Sequence, residues 1–552
     1  MKPRHPYATA VWWVALLAVV PSMCAQEAAA PGHTGVPQDW SEGHIVFSRD
    51  ALALHPDLMD REPRVLHQVM QRWQPPNLGV FQGSQPLPAA AGKSGSHRDW
   101  NVSPQARLAP FRYAAKFSFD PNAPPDCTND YVVFGLSSTS TGTLANLVAF
   151  NNLYVNGAGT GFCTGKKAPT VLFAYDITTV PGGKITTSPI LSEDGKKIGF
   201  VESIPGTSAS AIFHVLTWTA GEGAIGAAAM PTAMTSKPFS LSANDSASSP
   251  WIDYSADIVY VGSDNGSVYK ITGVFHGTPT LSGNPWPVGV SSNLHLTSPV
   301  LDSGQGMLMV GSANGNLYQI NTATGAFATV PVGAGFSRAI VAAPIVDVTN
   351  RTTFVVTADN GKSGAALEEV DTVGLNVLAT AGIGVGAFGS AIAVTLNEPA
   401  VDNNYFNDPS TGLIHLCGTS PTDTSPYQYA FGFNARIMKT TATVAQALPT
   451  IPAASTAARC AGFTEFFNPN VGGGTDYFFF GLTKDCTAPG VAGGCVAEFT
   501  DAAPSTILTR TVSGGPSGII VDNYSTQPQA SSIYFTAEGI NTAYKFTQVG
   551  LQ

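Results

Sequence analysis

The chain has few charged side chains, and they form no block of one sign. Asp, Glu, Lys and Arg make up 12% of its 552 residues, with 37 acidic against 27 basic side chains and a net charge of -10. Nucleic-acid binding needs a dense group of Lys and Arg to neutralise phosphates. Because the basic residues are scattered, the composition argues against a nucleic-acid partner.

The chain also lacks a long hydrophobic run. The most apolar stretch, Val11 to Val20, follows Lys2 and Arg4 and precedes small residues around Cys24. Ten apolar residues are too few to span a bilayer, but they suit an export signal, so we predict a signal peptide at residues 1–25. Pro21 to Met23 make Cys24 a poor lipid-attachment site. We therefore expect a secreted or periplasmic protein without a membrane span.

Common catalytic motifs are missing as well. There is no HExxH pair, no Gly-x-Ser-x-Gly elbow and no phosphate-binding loop. Four histidines stand alone in the sequence: His214, His276, His295 and His415. The sequence therefore assigns no catalytic residue, and we predict no cofactor and no metal.

Cysteines are few but even in number once Cys24 is set aside. The remaining six are Cys127, Cys163, Cys417, Cys460, Cys486 and Cys495. No pair has CxxC spacing, which disfavours a zinc site, and an exported protein favours disulfides. Six cysteines allow 15 pairings that sequence cannot separate, and pairing of chain neighbours is the simplest guess.

What the chain does contain is a repeat of short apolar strands and tight turns. The unit SPWIDYSADIVYVGSDNGSVYKITG, which begins at Ser249, is followed by SPVLDSGQGMLMVGSANGNLYQINTATG, which begins at Ser298. Each has a strand after Ser-Pro, an acid three residues after the Pro, a second strand, an Asn-Gly turn and a third strand. The rest of the chain contains weaker copies.

The repeats predict an all-β fold with a single β-propeller over residues 111–552. Eight strand groups favour eight blades, although the divergent first group leaves seven as an alternative. Anchor residues recur at intervals of 45 to 63 residues, which suits one four-stranded blade each; they are Pro189, Pro250, Pro299, Pro344, Pro399, Gly462 and Gly518. The last group has three strands, and we expect the strand near Ala115 to pair with it and close the ring.

Residues 26–110 form a different region, predicted to be an N-terminal extension and linker with one short helix. Val65, Val69 and Trp73 have helical spacing within Asp60 to Trp73. The following segment is rich in Pro, Gly, Ala and Ser, which is typical of a linker. We expect this extension to lie against the main body or to be partly mobile.

The run GNLYQINTATG and the preceding NPWPVG resemble quinoprotein-type, or PQQ-repeat, β-propellers. Repeats of that family carry an Ala-x-Asp-x-x-Thr-Gly turn and a docking Trp, matched here by Asn321, Thr324, Gly325 and Trp286. Only the third and fourth units match well. The resemblance implies a calcium-binding acid and an adjacent cysteine pair in catalytic members, but this chain has no Cys-Cys dipeptide. The chain also looks like uncharacterised secreted bacterial propeller proteins, for which the resemblance implies no activity.

Acidic residues recur after the anchors of the third to the eighth units. They are Asp253, Asp302, Asp347, Asp402, Glu465 and Asp522. A ring of carboxylates could bind a cation. Alternatively, each acid caps the turn after its strand by accepting backbone N–H bonds. Because function normally breaks symmetry, we favour the structural role.

Two further patterns have competing interpretations. The Asp-Asn-Gly groups at Asp264 and Asp359 lack the other acids of a calcium loop and favour hairpins, in which both turn residues need positive φ. Aromatic residues could stack on sugars but more often pack in a core; the candidates are Trp218, Trp251, Trp286, Tyr427 and Tyr429.

These patterns predict a secreted, monomeric, noncatalytic binding or interaction module. Its partner would be an extracellular or envelope protein or a glycan, bound at the central funnel or at inserted loops such as Asn403 to Gly412 and Val471 to Gly474. A quinoprotein-like oxidoreductase or a polysaccharide-cleaving enzyme is the competing hypothesis. A scaffold in envelope assembly, binding peptides along an exposed edge, is a third.

Overall fold

The computed structural model describes most of the chain from residue 35 onward. The described residues are 35–38, 44–47, 52–53, 58, 62–72, 95–120, 123–139, 142–204, 210–240, 245–334, 339–388, 394–449, 459–468, 474–486, 493–522 and 529–548. The predicted signal peptide, the centre of the predicted linker and residues 471–473 of one predicted loop lie outside them. None of the described helices is long and apolar enough to cross a membrane.

Three short strands and a ten-residue helix lie in the described part of the chain before the repeats, where residues 52–53 and 58 are helical as well. They are β1 (Val36–Gln38), β2 (His44–Val46), α1 (Pro63–Arg72) and β3 (Ser96–Val102).

Eight sheets follow in chain order. Blade 1 contains β4 (Ala115–Ser118), β5 (Tyr131–Gly135), β6 (Leu147–Asn151) and β7 (Thr170–Tyr175). Blade 2 contains β8 (Lys184–Ile185), β9 (Ile190–Leu191), β10 (Lys197–Ile204), β11 (Ser210–Thr217) and β12 (Met234–Ser240). Blade 3 contains β13 (Trp251–Asp253), β14 (Ile258–Gly262), β15 (Ser267–Thr272), β16 (Thr280–Leu281) and β17 (Val288–Gly289).

The next three blades repeat the same order. Blade 4 contains β18 (Val300–Asp302), β19 (Met307–Gly311), β20 (Asn316–Asn321) and β21 (Phe327–Pro331). Blade 5 contains β22 (Ile345–Asp347), β23 (Thr352–Thr357), β24 (Ala366–Asp371) and β25 (Val377–Gly382). Blade 6 contains β26 (Ala400–Val401), α2 (Asn403–Asn407), a 3₁₀ turn (Pro409–Thr411), β27 (Leu413–Thr419), β28 (Pro426–Asn434), β29 (Ile437–Met438) and β30 (Val444–Ala447).

The last two blades complete the set. Blade 7 contains β31 (Thr464–Asn468), β32 (Thr475–Leu482), β33 (Gly494–Thr500) and β34 (Leu508–Val512). Blade 8 contains β35 (Ile520–Asp522), β36 (Ser532–Thr536), β37 (Ala543–Gln548) and, from the N-terminal region, β3.

The sheets form an eight-bladed β-propeller, as the repeats predict. The first strand after each anchor lies innermost, because these strands contact one another from blade to blade, as β13 contacts β18 and β35 contacts β4. The innermost strands therefore line the central channel, and the later strands of each blade extend outward.

The ring is closed by a strand that sequence reasoning placed outside the propeller. Strand β3 pairs antiparallel with β37, with Ser96 opposite Gln548 and Val102 opposite Ala543. The predicted closing strand near Ala115, β4, instead belongs to blade 1 and pairs with β5. The prediction that the strand near Ala115 closes the ring was wrong. The charged residues of β3 made that segment look like part of a linker instead of a strand of the sheet.

Strands β1 and β2 of the extension lie in the channel. Strand β1 pairs antiparallel with β4, and β2 pairs parallel with β22, so both add to innermost strands. Ile45 and Phe47 are buried in the same apolar cluster as Trp251 of blade 3. The extension was expected to lie against the main body, and its described strands do so from inside the ring.

Helix α1 forms where periodicity predicts it, within narrower bounds. Pro63 occupies the first helical position, where no intrahelical N–H is required. Val65 and Val69 are buried, and Trp73 lies outside the described residues. The side chain of Gln68 accepts a hydrogen bond from the Phe47 N–H at 3.0 Å and donates to the Ile45 carbonyl. The helix therefore fixes strand β2 in the channel.

Candidate functional site

A cavity opens at the channel end where the innermost strands begin. Its volume is about 320 Å³, and we call it the funnel. Its walls come from segments that precede the innermost strands of six blades; they include Arg112, Ala247, Leu296, Ile340, Asn397 and Arg459. Strands β1 and β2 of the N-terminal segment pair with the innermost strands of blades 1 and 5.

The backbone next to the funnel is held in place by hydrogen bonds to the serines of the repeated Ser-Pro pairs. The Tyr113 N–H donates to Ser188 Oγ at 2.9 Å, the Ser188 N–H to Ser249 Oγ at 2.8 Å, and the Ser249 N–H to Ser298 Oγ at 2.9 Å. All four residues are buried. Each serine thus links its own blade to the preceding one, which fixes the funnel walls of blades 1 to 4 relative to one another.

Arg112 is held rigidly in the funnel wall. Its Nε donates to the Thr186 carbonyl at 3.1 Å, and its Nη2 donates to the Ala247 carbonyl at 2.7 Å. These carbonyls belong to the loops that enter blades 2 and 3. Arg459, from the segment that enters blade 7, is exposed at the rim. The funnel therefore has one fixed and one exposed guanidinium.

His295 and Asp264 form a pair at the same mouth. The His295 Nδ1 and Asp264 Oδ1 atoms are 2.7 Å apart, and the histidine side chain is 65% exposed. Asp264 is in the turn between β14 and β15, and His295 lines the funnel from the segment before β18. This pairing between adjacent blades could not be read from sequence, because 31 residues separate its members.

Two carboxyl groups lie behind the wall. Glu538 accepts the Phe111 N–H at 2.8 Å, and Glu398 accepts the Tyr113 hydroxyl at 3.2 Å. Burial raises the pKa of Glu538 to about 7, against the opposing effects of the Phe111 N–H and of Arg107 and Arg459. Glu538 therefore offsets the arginine charge only partly near neutral pH.

The repeat acids lie at the opposite ends of the innermost strands. Asp253 accepts the Ala256 N–H at 3.1 Å, Asp302 the Gln305 N–H at 3.2 Å, and Asp347 those of Thr349 and Asn350 at 2.9 Å each. Asp402 caps α2 by accepting the Tyr405 N–H at 2.7 Å. These four acids hold the turns after their strands.

Glu465 and Asp522 have different surroundings from the other four. Glu465 lies inside β31 and faces Phe478 across the pair with β32. Asp522 ends β35, accepts the Tyr534 hydroxyl at 3.2 Å and forms an ion pair with Lys116 at 3.2 Å. The structure thus does not bring the repeat acids together: among the described residues no group of three or more His, Cys, Asp or Glu is placed to hold a metal.

Asp522 belongs to a buried ionic network where blade 8 meets blade 1. Lys545 contacts Asp99 of β3, and Tyr154 donates to Asp130 at 2.6 Å. Burial raises the pKa of Asp130 and lowers that of Lys545, and in each case opposite charges counteract the shift. The network joins the closing strand to the innermost strands on both sides of the closure.

Both Asp-Asn-Gly groups lie between paired strands. Asp264 to Gly266 connects β14 to β15, and Asp359 to Gly361 lies between β23 and β24. In the first turn the Gly266 N–H donates to the Ser263 carbonyl at 3.0 Å, and of Asn265 and Gly266 only the glycine has positive φ, at 80°. The prediction that both turn residues have positive φ is wrong, since a type I turn followed by a left-handed glycine makes this connection.

The aromatic candidates for sugar stacking lie away from the funnel. Trp251 packs under the Arg64 guanidinium at 4.0 Å, Trp286 packs against Tyr260, and Trp218 stacks on Phe173. Tyr427 and Tyr429 contact each other, and the Tyr429 hydroxyl donates to the Thr419 carbonyl at 2.8 Å. None of the five lines the funnel.

The other single histidines differ in environment. His214 is fully buried between Glu202 at 3.0 Å and Ser236 at 2.9 Å, and His276 is exposed 4.0 Å from Glu193. His415 is fully buried between blades 6 and 7. Burial lowers the pKa of His415 to about 3.

Six cysteines form three disulfides in the neighbour pairing. Cys127 bonds Cys163 in the loops of blade 1, and Cys486 bonds Cys495 beside the β32–β33 hairpin. Cys417 of β27 bonds Cys460 in the segment that enters blade 7. This last disulfide links two blades next to Arg459.

No protein-family model and no curated protein matches the chain in sequence. Solved structures match its fold over most of its length. BamB from Moraxella catarrhalis is 13% identical, covers 83% of this chain and 98% of its own, and has a TM-score of 0.42. The Dos1 propeller is 11% identical, covers 82% and 95%, and has a TM-score of 0.48. The WD40 propeller of Doa1 is 9% identical, covers 83% and 98%, and has a TM-score of 0.38. These likenesses concern the propeller fold and establish no family.

The quinoprotein-like turn lies against Pro285 and Val288, the neighbours of the predicted docking residue Trp286. Asn321 Oδ1 accepts the N–H groups of Ala323 at 3.0 Å and Thr324 at 2.9 Å, and Gly325 has φ of 69°. A Cβ on Gly325 would lie 2.8 Å from the side chain of Pro285, beside Trp286. Asp371 of blade 5 accepts the N–H groups of Val373 and Gly374 in a similar turn, which the sequence pattern did not indicate.

Proposed function

We propose that the protein is an exported, noncatalytic binding module that holds its ligand in the funnel. The supporting observation is the funnel itself, whose walls come from six blades. Its wall residues are positioned by hydrogen bonds between blades, such as those of Ser249 and Arg112. A concave, preformed site on a rigid ring is where such folds bind their ligands. The partner class is an extracellular or envelope protein or a glycan.

Export is supported by the predicted signal peptide together with the disulfides. Disulfides persist in oxidising compartments, and the chain has three of them. We therefore place the protein outside the cytoplasm, in the periplasm or the extracellular space.

We further infer kinship to the quinoprotein-type propellers as a binding, not a quinone-dependent, relative. The docking of the Gly325 turn against Pro285 supports the kinship. The funnel does not fit the cofactor: its described lining has no carboxylate to hold calcium and no cysteine. The six described cysteines form three disulfides, and no disulfide joins two residues that are adjacent in sequence. The adjacent cysteine pair that the resemblance implies for catalytic members is therefore missing among them.

Site-specific photo-crosslinking tests the proposed function. A benzophenone side chain replaces His295 at the funnel rim or, as the matched control, the exposed Arg436 beyond the other end of the channel. Illumination of envelope and extracellular fractions should give discrete adducts at position 295 that are absent at position 436. Equal adducts at both positions, or none at 295 in any fraction, would contradict ligand binding in the funnel.

A further inference from the structure

We propose that the funnel ligand is a peptide segment that presents a carboxylate, either its C-terminus or an acidic side chain, to Arg112 and Arg459. This inference rests on the proposed function and names the chemical class of its ligand. It depends on the charge of the lining, the geometry of Arg112 and the nature of the apolar wall.

The funnel lining is basic in an acidic protein. The chain has 37 acidic and 27 basic side chains. Yet the described funnel lining contains Arg112 and Arg459 and no Asp or Glu, and its one histidine, His295, is paired with Asp264. Attraction between opposite charges strengthens where part of the surrounding water is excluded, so the site favours an anionic group.

The geometry of Arg112 favours a planar anion. Carbonyl groups of Thr186 and Ala247 hold its Nε and Nη2 and thereby fix the plane of the guanidinium. An oriented guanidinium binds a carboxylate with less loss of side-chain entropy than a mobile one. Arg459, exposed at the rim, adds a second positive charge. It precedes blade 7 and Arg112 precedes blade 1, so the two arginines lie on either side of blade 8.

The rest of the wall suits a peptide better than a sugar. Leu296 and Ile340 present aliphatic side chains, and Asn397 with Thr297 adds polar groups. Sugar sites commonly use flat aromatic side chains for stacking, but Trp218, Trp251 and Trp286 pack elsewhere. The one aromatic residue of the described lining, Phe111, is only 9% exposed. A short peptide with aliphatic residues next to its carboxylate matches this lining, because the carboxylate can contact the arginines and the aliphatic residues can contact Leu296 and Ile340.

Fluorescence anisotropy with the full mature chain tests this ligand class. The probes are a fluorescein-labelled hexapeptide pool with a free C-terminus, the same pool with an amidated C-terminus, and an amidated pool with one internal Asp. We expect the two carboxylate pools to bind at least tenfold more tightly than the plain amidated pool. Added salt should weaken this binding.

Substitutions then locate the binding. Arg459→Glu should weaken carboxylate-pool binding at least tenfold, whereas Arg436→Glu, the same charge change at an exposed arginine distant from the funnel, should leave it unchanged. Arg112→Lys keeps the charge but loses the planar fork and the bonds to the Thr186 and Ala247 carbonyls, so it should weaken binding of the carboxylate pools when measured well below its own melting temperature. This second variant keeps the test decisive if Arg459→Glu folds poorly.

Each contrary result has a distinct meaning. Equal binding of free and amidated pools, no binding of any pool, or insensitivity to Arg459→Glu would overturn the carboxylate assignment. Oligogalacturonate that binds when every peptide pool fails would overturn the peptide class. Adducts at position 295 in the crosslinking experiment would still uphold the funnel as a binding site, so the two proposals fail separately.

Discussion

At the residue scale, His415 shows an environment that sequence could not reveal. Its ring lies 4.4 Å from that of Phe478 and 5.3 Å from that of Phe499, across the boundary of blades 6 and 7. Neither ring nitrogen has a hydrogen-bond partner among the described residues. Burial without a hydrogen-bond partner favours the neutral imidazole over the charged one, and the pKa of His415 therefore falls to about 3.

Acid should therefore destabilise the protein through His415. The unfolded chain binds a proton at this residue below about pH 6.5 while the folded protein does not, so stability falls as pH falls towards 3. The cost is about 1.4 kcal/mol per pH unit in this window. His415→Leu should be more stable than wild type at pH 5, with a difference that grows on acidification.

Denaturant unfolding from pH 4 to pH 8 measures this difference. His276→Leu, a change at an exposed histidine, is the matched control and should track wild type. A stability difference between wild type and His415→Leu that stays constant across the pH range would show that His415 is not the titrating group.

At the same scale, four of the six repeat acids accept backbone N–H groups of the turn after their strand, and the reason is local. A short acidic side chain after a strand reaches N–H groups two or three residues later, so its role follows from sequence distance alone. Asp347 illustrates this with its bonds to Thr349 and Asn350. The His295–Asp264 pair was not predictable, because it depends on how two blades lie side by side.

At the element scale, the sequence predicted the type of helix α1 but not the surface against which it packs. Periodicity reports that one face is buried but does not say against what. Arg64, on this helix, is almost fully buried, which a sequence pattern would assign to solvent. Its Nη2 donates to the Ile252 carbonyl at 2.8 Å, and its Nη1 contacts Glu62 at 2.9 Å. The channel supplies these partners.

Loss of Arg64 should loosen the N-terminal segment. Arg64→Ala removes one partner of a buried ion pair and exposes Glu62 to an apolar environment, a change that typically costs about 3 to 5 kcal/mol. Hydrogen exchange should rise at β2 and α1 and much less in blade 7. The double variant Glu62→Gln with Arg64→Met should lose less, since no buried charge is left alone.

Arg436→Ala serves as the control for that experiment, because Arg436 is exposed. Substitutions at surface sites usually change the free energy of unfolding by no more than about 0.5 kcal/mol. If Arg64→Ala stayed within that range and left hydrogen exchange at β2 unchanged, the N-terminal segment would not depend on this contact.

At the scale of the whole molecule, the repeats gave the blades but not the closure. The innermost strands of blades 2 to 8 each follow an anchor that the sequence displays, so the order of these blades was accessible, whereas β4 of blade 1 has no such anchor. The closing strand β3 resembles none of the repeats. Its polar residues find partners only in the folded ring, where Asp99 forms an ion pair with Lys545. The funnel likewise depends on residues from blades far apart in the chain, such as Arg112 and Arg459.

Closure should be separable from filling of the channel by two truncations. A chain that starts at Gly95 keeps β3 but loses β1, β2 and α1. We expect it to form a monomeric ring of reduced stability, because apolar channel surface around Trp251 becomes exposed.

A chain that starts at Ser103 also loses β3, and we expect a different failure. The edge of β37 then presents unpaired backbone N–H and carbonyl groups, and Lys545 loses Asp99. Light scattering after size exclusion should show self-association of this chain but not of the one that starts at Gly95. Two equally stable monomers would mean that the ring closes without β3. Because Arg112 and Arg459 belong to the two blades that flank blade 8, self-association should be accompanied by loss of peptide binding in the funnel.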